Sequence, residues 1–203
     1  MLDVATLRND FPLLSQEVYG RPLVYLDSGA TTQVPECVLE RVTEHYRTQN
    51  GNVHRGVHFT ANASTHALEA ARHCVADFIG APSDDCIVFT RGTTEALNTV
   101  AFGLREYVGS GDPVVVTVME HHSNFVPWQQ LCAERGATFH VCDIDDEGNL
   151  KLDELAEHMK LHPKVVSVSC CSNVLGTLNP IERVCALAHE AGALAVLDGA
   201  QIM

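Results

Sequence analysis

The chain has 203 residues, 46% of them apolar and 19% charged, with a formal net charge of −13. A chain of this size and balance folds around a substantial core as one domain or two, and is neither disordered nor fibrous. Thirteen basic residues against twenty-six acidic ones exclude the basic surface that a nucleic-acid partner requires, and no apolar run approaches the length of a membrane span.

The opening MLDVATLRNDFPLL carries Asp3, Arg8 and Asp10 where a secretory signal would need an unbroken apolar core. A short apolar run over 23–27 predicts a strand, and Pro35 at a first turn predicts a helix over 35–47. His54 and His58 have the i, i+4 spacing of helical metal ligands, but Gly56 between them disfavours a rigid helix and the ligand set is incomplete. A helix over 65–79 would place Ala67, Leu68, Ala71, Val75, Phe78 and Ile79 on one side, with Gly80 and Pro82 stopping it. The run 86–90 predicts a second strand. Arg91-Gly92-Thr93-Thr94-Glu95 then opens a helix over 94–108. Two hydroxyls beside unpaired helix-start N–H groups suit an anion, and they equally suit a plain cap with Glu95 in the first turn.

Strand 113–119 leads into Glu120-His121-His122-Ser123-Asn124. Adjacent histidines point different ways and lack a third ligand nearby, so one imidazole stacked on a planar ligand or exchanging a proton fits better than a metal. The bland alternative is a pair of surface histidines before a helix over 125–134. Strand 137–144, helix 152–160 and strand 164–170 follow. Ser172-Asn173-Val174-Leu175-Gly176-Thr177 forms an amide-bearing turn before helix 182–190. The last strand, 194–197, delivers Asp198-Gly199-Ala200-Gln201. Ala195-Val196-Leu197 ahead of Asp198 predicts a partly buried carboxylate, which needs a cationic partner that no neighbouring Lys or Arg supplies. A charged ring nitrogen on a ligand would serve.

This strand–helix alternation predicts an α/β fold, a mostly parallel sheet with helices on both faces and right-handed crossovers. Ligands in such sheets sit beyond the carboxyl ends of the strands, where each of these motifs falls. The eight cysteines form no C-x-x-C and are expected to be reduced thiols, most of them small core residues.

In this order, Arg91-Gly92-Thr93-Thr94-Glu95, Glu120-His121-His122, Ser172–Thr177 and Asp198-Gly199-Ala200-Gln201 resemble the class V aminotransferase family. The likeness is closest to cysteine desulfurases of the Suf type, which include selenocysteine lyase-like members. The stretches 10–14, 25–32 and 52–58 also look like that group, so the resemblance covers essentially the whole chain. It implies a pyridoxal 5′-phosphate (PLP) enzyme with an aspartate-aminotransferase-like large domain. Thr93 and Thr94 would then hold the cofactor phosphate, and His121 would stack on the ring and assist proton transfer. Asn173 would lie near the ring and the substrate carboxylate, Asp198 would pair with the protonated ring nitrogen, and Gln201 would contact the ring hydroxyl.

The resemblance further implies L-cysteine as substrate, a sulfur-acceptor protein of iron–sulfur cluster assembly as partner, a homodimer at full length and a cytoplasmic location. Residues 1–20 would pack on a small domain, and residues 21–203 would be a partial PLP-binding domain. The family's Schiff-base lysine, sulfur-accepting cysteine and substrate-binding arginine lie in stretches that do not occur in this sequence. Its three lysines, Lys151, Lys160 and Lys164, read as surface charges. The chain is therefore expected to be the N-terminal portion of a longer protein and inactive alone. A selenocysteine lyase or another class V PLP enzyme is an alternative, and a non-catalytic PLP-binding or interaction module is a third reading. A dinucleotide dehydrogenase fits least, because Gly109-Ser110-Gly111 precedes a strand rather than a helix.

Overall fold

A computed structural model describes residues 2–203. The chain forms two compact units, Met1–Phe89 and Thr90–Met203.

In the first unit, Asp3 caps a short helix α1 (Val4–Arg8) by accepting from the Thr6 N–H at 3.2 Å. A two-residue turn joins β1 (Glu17–Val18) to β2 (Arg21–Pro22) as a hairpin. Two helices follow, α2 (Glu36–Glu44) and α3 (Phe59–Ile79), with a π-helical turn His45–Gln49 extending α2. The α3 helix starts six residues before the expected 65, because His58 acts as its N-cap. It ends as expected at Gly80, which takes the left-handed conformation (φ 67°) that stops a helix. The expected apolar face is corrected. Ala61, Ser64 and Ala76 are buried, whereas Val75, Phe78 and Ile79 are exposed. Ser64 Oγ donates to the Gln49 carbonyl, which turns the small-residue stripe toward the π-helical turn and leaves the other face open.

The strands expected at 23–27 and 86–90 do not form. Both stretches contain apolar residues, and Leu26 is 91% exposed. A strand exists only through a ladder to a neighbour, and neither stretch has one among the described residues.

The second unit holds α4 (Thr93–Gly103), β3 (Pro113–Thr117), α5 (His122–Arg135), β4 (Thr138–Cys142), α6 (Leu152–Met159), β5 (Val165–Ser169), α7 (Ile181–Glu190) and β6 (Leu194–Asp198). Its four strands are all parallel, in the order β4-β3-β5-β6. Alternate residues of β3 feed two cores. Val114 and Val116 pack with Trp128 and Leu131 of α5, while Val115 joins Leu155 of α6 and Val184 of α7. Helices therefore cover both faces, which is the predicted α/β architecture and explains why β3 and β5 are apolar on both sides.

All eight cysteines are free, but only Cys132, Cys142 and Cys170 are buried; Cys37, Cys74 and Cys86 are exposed. The expectation that most would be core residues fails because these three lie on outward faces of the first unit.

Leu155 is fully buried between α6, the sheet and α7. Leu155→Ala should destabilise the chain by about 2–5 kcal/mol through lost transfer energy and a residual cavity. Urea unfolding monitored by Trp128 fluorescence would measure it, and a loss below 1 kcal/mol, by that same principle, would mean the site collapses freely.

Candidate active site

His121, Asn173, Asp198 and Gln201 fall at or just beyond the carboxyl ends of β3, β5 and β6, whereas His54 and His58 belong to the first unit. Beyond β3 the chain turns through Glu120 and enters α5, with His121 as N-cap. His121 Nδ1 accepts the Ser123 N–H at 3.2 Å and lies 2.7 Å from Ser123 Oγ. His122 meets the His121 ring edge-on, with centroids 6.0 Å apart. The α5 helix therefore begins three residues before the expected 125, because His121 is its cap and His122 its first residue rather than a loop.

Glu120 was not singled out, and it organises this edge. Its Oε1 accepts from Thr117 Oγ1 (2.5 Å) and from the Ser169 N–H (3.0 Å). Its Oε2 accepts from Asn124 Nδ2 (2.6 Å) and Ser169 Oγ (2.5 Å). Burial pushes the carboxyl above its ordinary range, against the pull of these four donors. Asn124 carries the network inward: its Oδ1 accepts from Trp128 Nε1 at 3.1 Å and Ser167 Oγ at 2.6 Å. A sequence signal existed. Thr117, Ser167 and Ser169 break the valine runs of β3 and β5, and buried hydroxyls there require partners.

On the far side of β5, Ser169 pairs in register with Asp198 of β6. Asp198 is 5% exposed. One oxygen, Oδ1, accepts the Ala200 N–H at 3.0 Å, and no cation among the described residues pairs with it. The negative charge is felt nearby, where burial first and Asp198 second push the Cys170 thiol up. Gln201 follows in the turn after β6. Asn173 is exposed on a turn closed by Gly176 N–H to the Ser172 carbonyl (3.0 Å), with Ser172 Oγ accepting from the Leu175 N–H (3.2 Å).

Thr93 and Thr94 occupy the first two positions of α4, after Gly92. Gly92 has φ 135°, a conformation that favours glycine, and offers no side chain to the helix start. Glu95 turns back to accept the Arg91 N–H at 2.6 Å. The first-turn amides and both threonine hydroxyls therefore have no acceptor among the described residues. The α4 and α5 helices run side by side in the same direction. Arg105, just past α4, pairs with Glu134, and Arg135 donates to the Val108 carbonyl at 3.3 Å. With lengths of about 16 and 21 Å at 1.5 Å per residue, helices that end together also begin at the same end. The uncapped start of α4 thus lies at the edge where His121 caps α5.

Lys151 reaches this edge only beyond β4, the strand farthest from β6. Lys151 pairs with Asp143 at 3.1 Å, Lys160 with Glu157 at 2.6 Å, and Lys164 precedes β5 at the opposite edge, its ammonium over the Tyr107 ring. Burial pushes the Cys132 thiol up to about 11 and Cys142 to about 12, so neither is a ready thiolate nucleophile. No group of His, Cys, Asp and Glu among the described residues could hold a metal ion.

Over residues 24–203 the sequence matches the aminotransferase class-V family. A cysteine desulfurase of Synechococcus elongatus is 46% identical over 200 residues, which are 98% of this chain and 32% of that protein. An apo cysteine desulfurase structure from Thermococcus onnurineus NA1 matches with a TM-score of 0.90 at 39% identity, covering 97% of this chain and 47% of that one. A cysteine desulfurase structure from Escherichia coli gives a TM-score of 0.85 at 37% identity, covering 99% and 49%. The chain spans about half or less of the length of the proteins it matches.

The Glu120 network titrates. A carboxyl whose folded-state pKa is raised contributes stability that is complete below its unfolded pKa and lost as pH rises through the folded value. Glu120→Gln cannot titrate, so the stability advantage of the natural chain over this variant should shrink from about pH 4 toward neutrality. Urea midpoints of both proteins across that range provide the check. An advantage that grows with pH would show that the four donors outweigh burial.

Proposed function

The chain belongs to the class V aminotransferase family, and on that footing we propose that it is the cofactor-binding, N-terminal part of a PLP-dependent cysteine desulfurase. The observation that carries this reading is Asp198, a buried strand-end carboxylate with no cation among the described residues to balance it.

The residues fit the cofactor. A phosphate dianion needs several converging donors, and the start of α4 offers the Thr93 and Thr94 hydroxyls with unpaired amides at the positive end of a helix. A pyridine ring needs an anion beside its nitrogen if it is to stay protonated, and Asp198 would hold that proton in place. His121 would stack on the ring with its Nε2 edge toward the reacting groups. Gln201 would contact the ring hydroxyl, and Asn173 would lie near the ring and the substrate carboxylate. When bound, PLP supplies the electron sink for charge developing at the substrate α-carbon.

On the same reading, the substrate is L-cysteine, converted to L-alanine, with the sulfur passing to an acceptor protein for iron–sulfur cluster assembly. The complete protein would be a cytoplasmic homodimer. Residues 1–20 would pack on a small domain and 21–203 form part of the large one. In support, Leu2 ahead of α1 and Val4 at its start are exposed apolar residues that such packing would cover. No described helix is long and apolar enough to cross a membrane.

Thr93→Val together with Thr94→Val should weaken PLP binding by at least about tenfold, since a hydrogen bond to a charged group contributes about 1.5–3 kcal/mol. Equilibrium dialysis of PLP against this chain measures it, and binding unchanged by the double variant would remove the phosphate site from α4. Asp198→Asn should leave PLP bound but lower the ring-nitrogen pKa by about 1–3 units, read from a pH titration of the bound cofactor's absorbance. An unmoved titration would make Asp198 an ordinary strand-end carboxylate. Mixed with PLP and L-cysteine, the 203-residue chain should release no sulfide above a protein-free PLP control. Its lysines are engaged with Asp143, Glu157 and the Tyr107 ring, and sulfide above that control would mean that one of them, or another group, does the chemistry.

A further inference from the structure

We propose that His121 works as a fixed Nε2–H hydrogen-bond donor, held in that tautomer by the N-cap of α5, and not as a base that takes up a proton at Nε2. The functional meaning of this inference rests on the cofactor reading above, whereas the tautomer itself does not.

The argument begins with the cap. The Ser123 backbone N–H points at His121 Nδ1 from 3.2 Å. A backbone amide can only donate, so Nδ1 must present its lone pair. In a neutral imidazole one nitrogen carries the proton and the other accepts, which places the proton on Nε2. Ser123 Oγ, 2.7 Å from Nδ1 and itself buried, can donate to the same lone pair. For Nε2 to act as a base, the ring would have to adopt the Nδ1–H form. That form sets one N–H against another at the start of α5 and leaves the Ser123 amide without its acceptor.

The ring is exposed, and the backbone on either side of it is fixed. Glu120 immediately before it is anchored by four hydrogen bonds to Thr117, Asn124 and Ser169. Ser123 and Asn124 immediately after it are buried in the first turn of α5. Nε2 has no partner among the described residues. The same device recurs at His58, another histidine that the sequence brought forward. His58 caps α3 by accepting the Ala61 N–H at 3.4 Å, with Thr60 Oγ1 3.1 Å from the same Nδ1.

An imidazole seated at a helix N-terminus can serve catalysis as a neutral donor. The atom facing Nε2 on the bound molecule must then be an acceptor, an oxygen or a sulfur carrying developing negative charge. Ser123 is the positioning residue, since its amide selects the tautomer.

The test is ring-nitrogen NMR on the chain labelled with 15N-histidine, without cofactor, near pH 8.5, about two units above the reference imidazole pKa. His121 should show a single form, protonated at Nε2 and bare at Nδ1. His122, whose ring makes only the edge contact with His121, gives the unconstrained mixture as an internal reference. The Ser123 amide should also show a through-hydrogen-bond coupling to His121 Nδ1, the signature of that acceptor. A proton on Nδ1 at pH 8.5, a mixture matching His122, or a Ser123 amide coupled to no ring nitrogen would each overturn the proposal. Because no cofactor is present, failure to bind PLP leaves this result standing, and a wrong tautomer leaves the cofactor reading untouched.

Discussion

A carboxylate withdrawn from water without a cation must be surrounded by neutral donors, and the carboxyl edge of this sheet is arranged around that requirement. Glu120 gathers a strand hydroxyl, a helix side-chain amide and both polar groups of Ser169 into one knot. The knot joins the end of β3, the first turn of α5 and the end of β5. Because Ser169 also pairs with Asp198 in the β5–β6 ladder, the backbone positions of His121 and Asp198 are related through a single buried group. Asn124 extends the constraint into the apolar core at Trp128, so the edge and the core are not independently adjustable.

Two carboxylates thus stand on either side of the end of β5 for different reasons. Glu120 is fully satisfied from within the chain and acts on geometry. Asp198 is satisfied on one oxygen by its own turn and lacks a countercharge among the described residues. The first holds the edge together, and the second is the group on which the proposed cofactor reading rests.

Much of the fold was legible because it is locally encoded. The valine runs of β3 and β5, the short apolar run of β6 and the run 137–144 that holds β4 gave the four strands, and the apolar periodicity between them gave the helices. The runs at 23–27 and 86–90 have similar composition and failed as strands, since pairing depends on a neighbour that local sequence does not reveal. Motif positions at the strand ends were legible for the same topological reason that places ligands there. The Glu120 network was not, because two of its bonds come from Ser169, 49 residues along the chain. The role of His121 as a cap was missed by a narrower margin. A hydroxyl two residues after a histidine looked like a loop, where it marks the first turn of α5.

The parallel course of α4 and α5 bears on how a ligand would arrive. Each helix start carries roughly half a positive charge, and two such starts at one edge form a small attractive field on a protein of net charge −13. An approaching anion therefore meets repulsion at long range and attraction only at close quarters. Salt screens interactions beyond about 8 Å at physiological ionic strength and spares those at contact. Moderate salt should then speed the encounter with an anionic ligand, the reverse of the behaviour of a basic protein steering the same molecule. The acidic surface becomes a kinetic filter that favours ligands able to reach the helix starts directly.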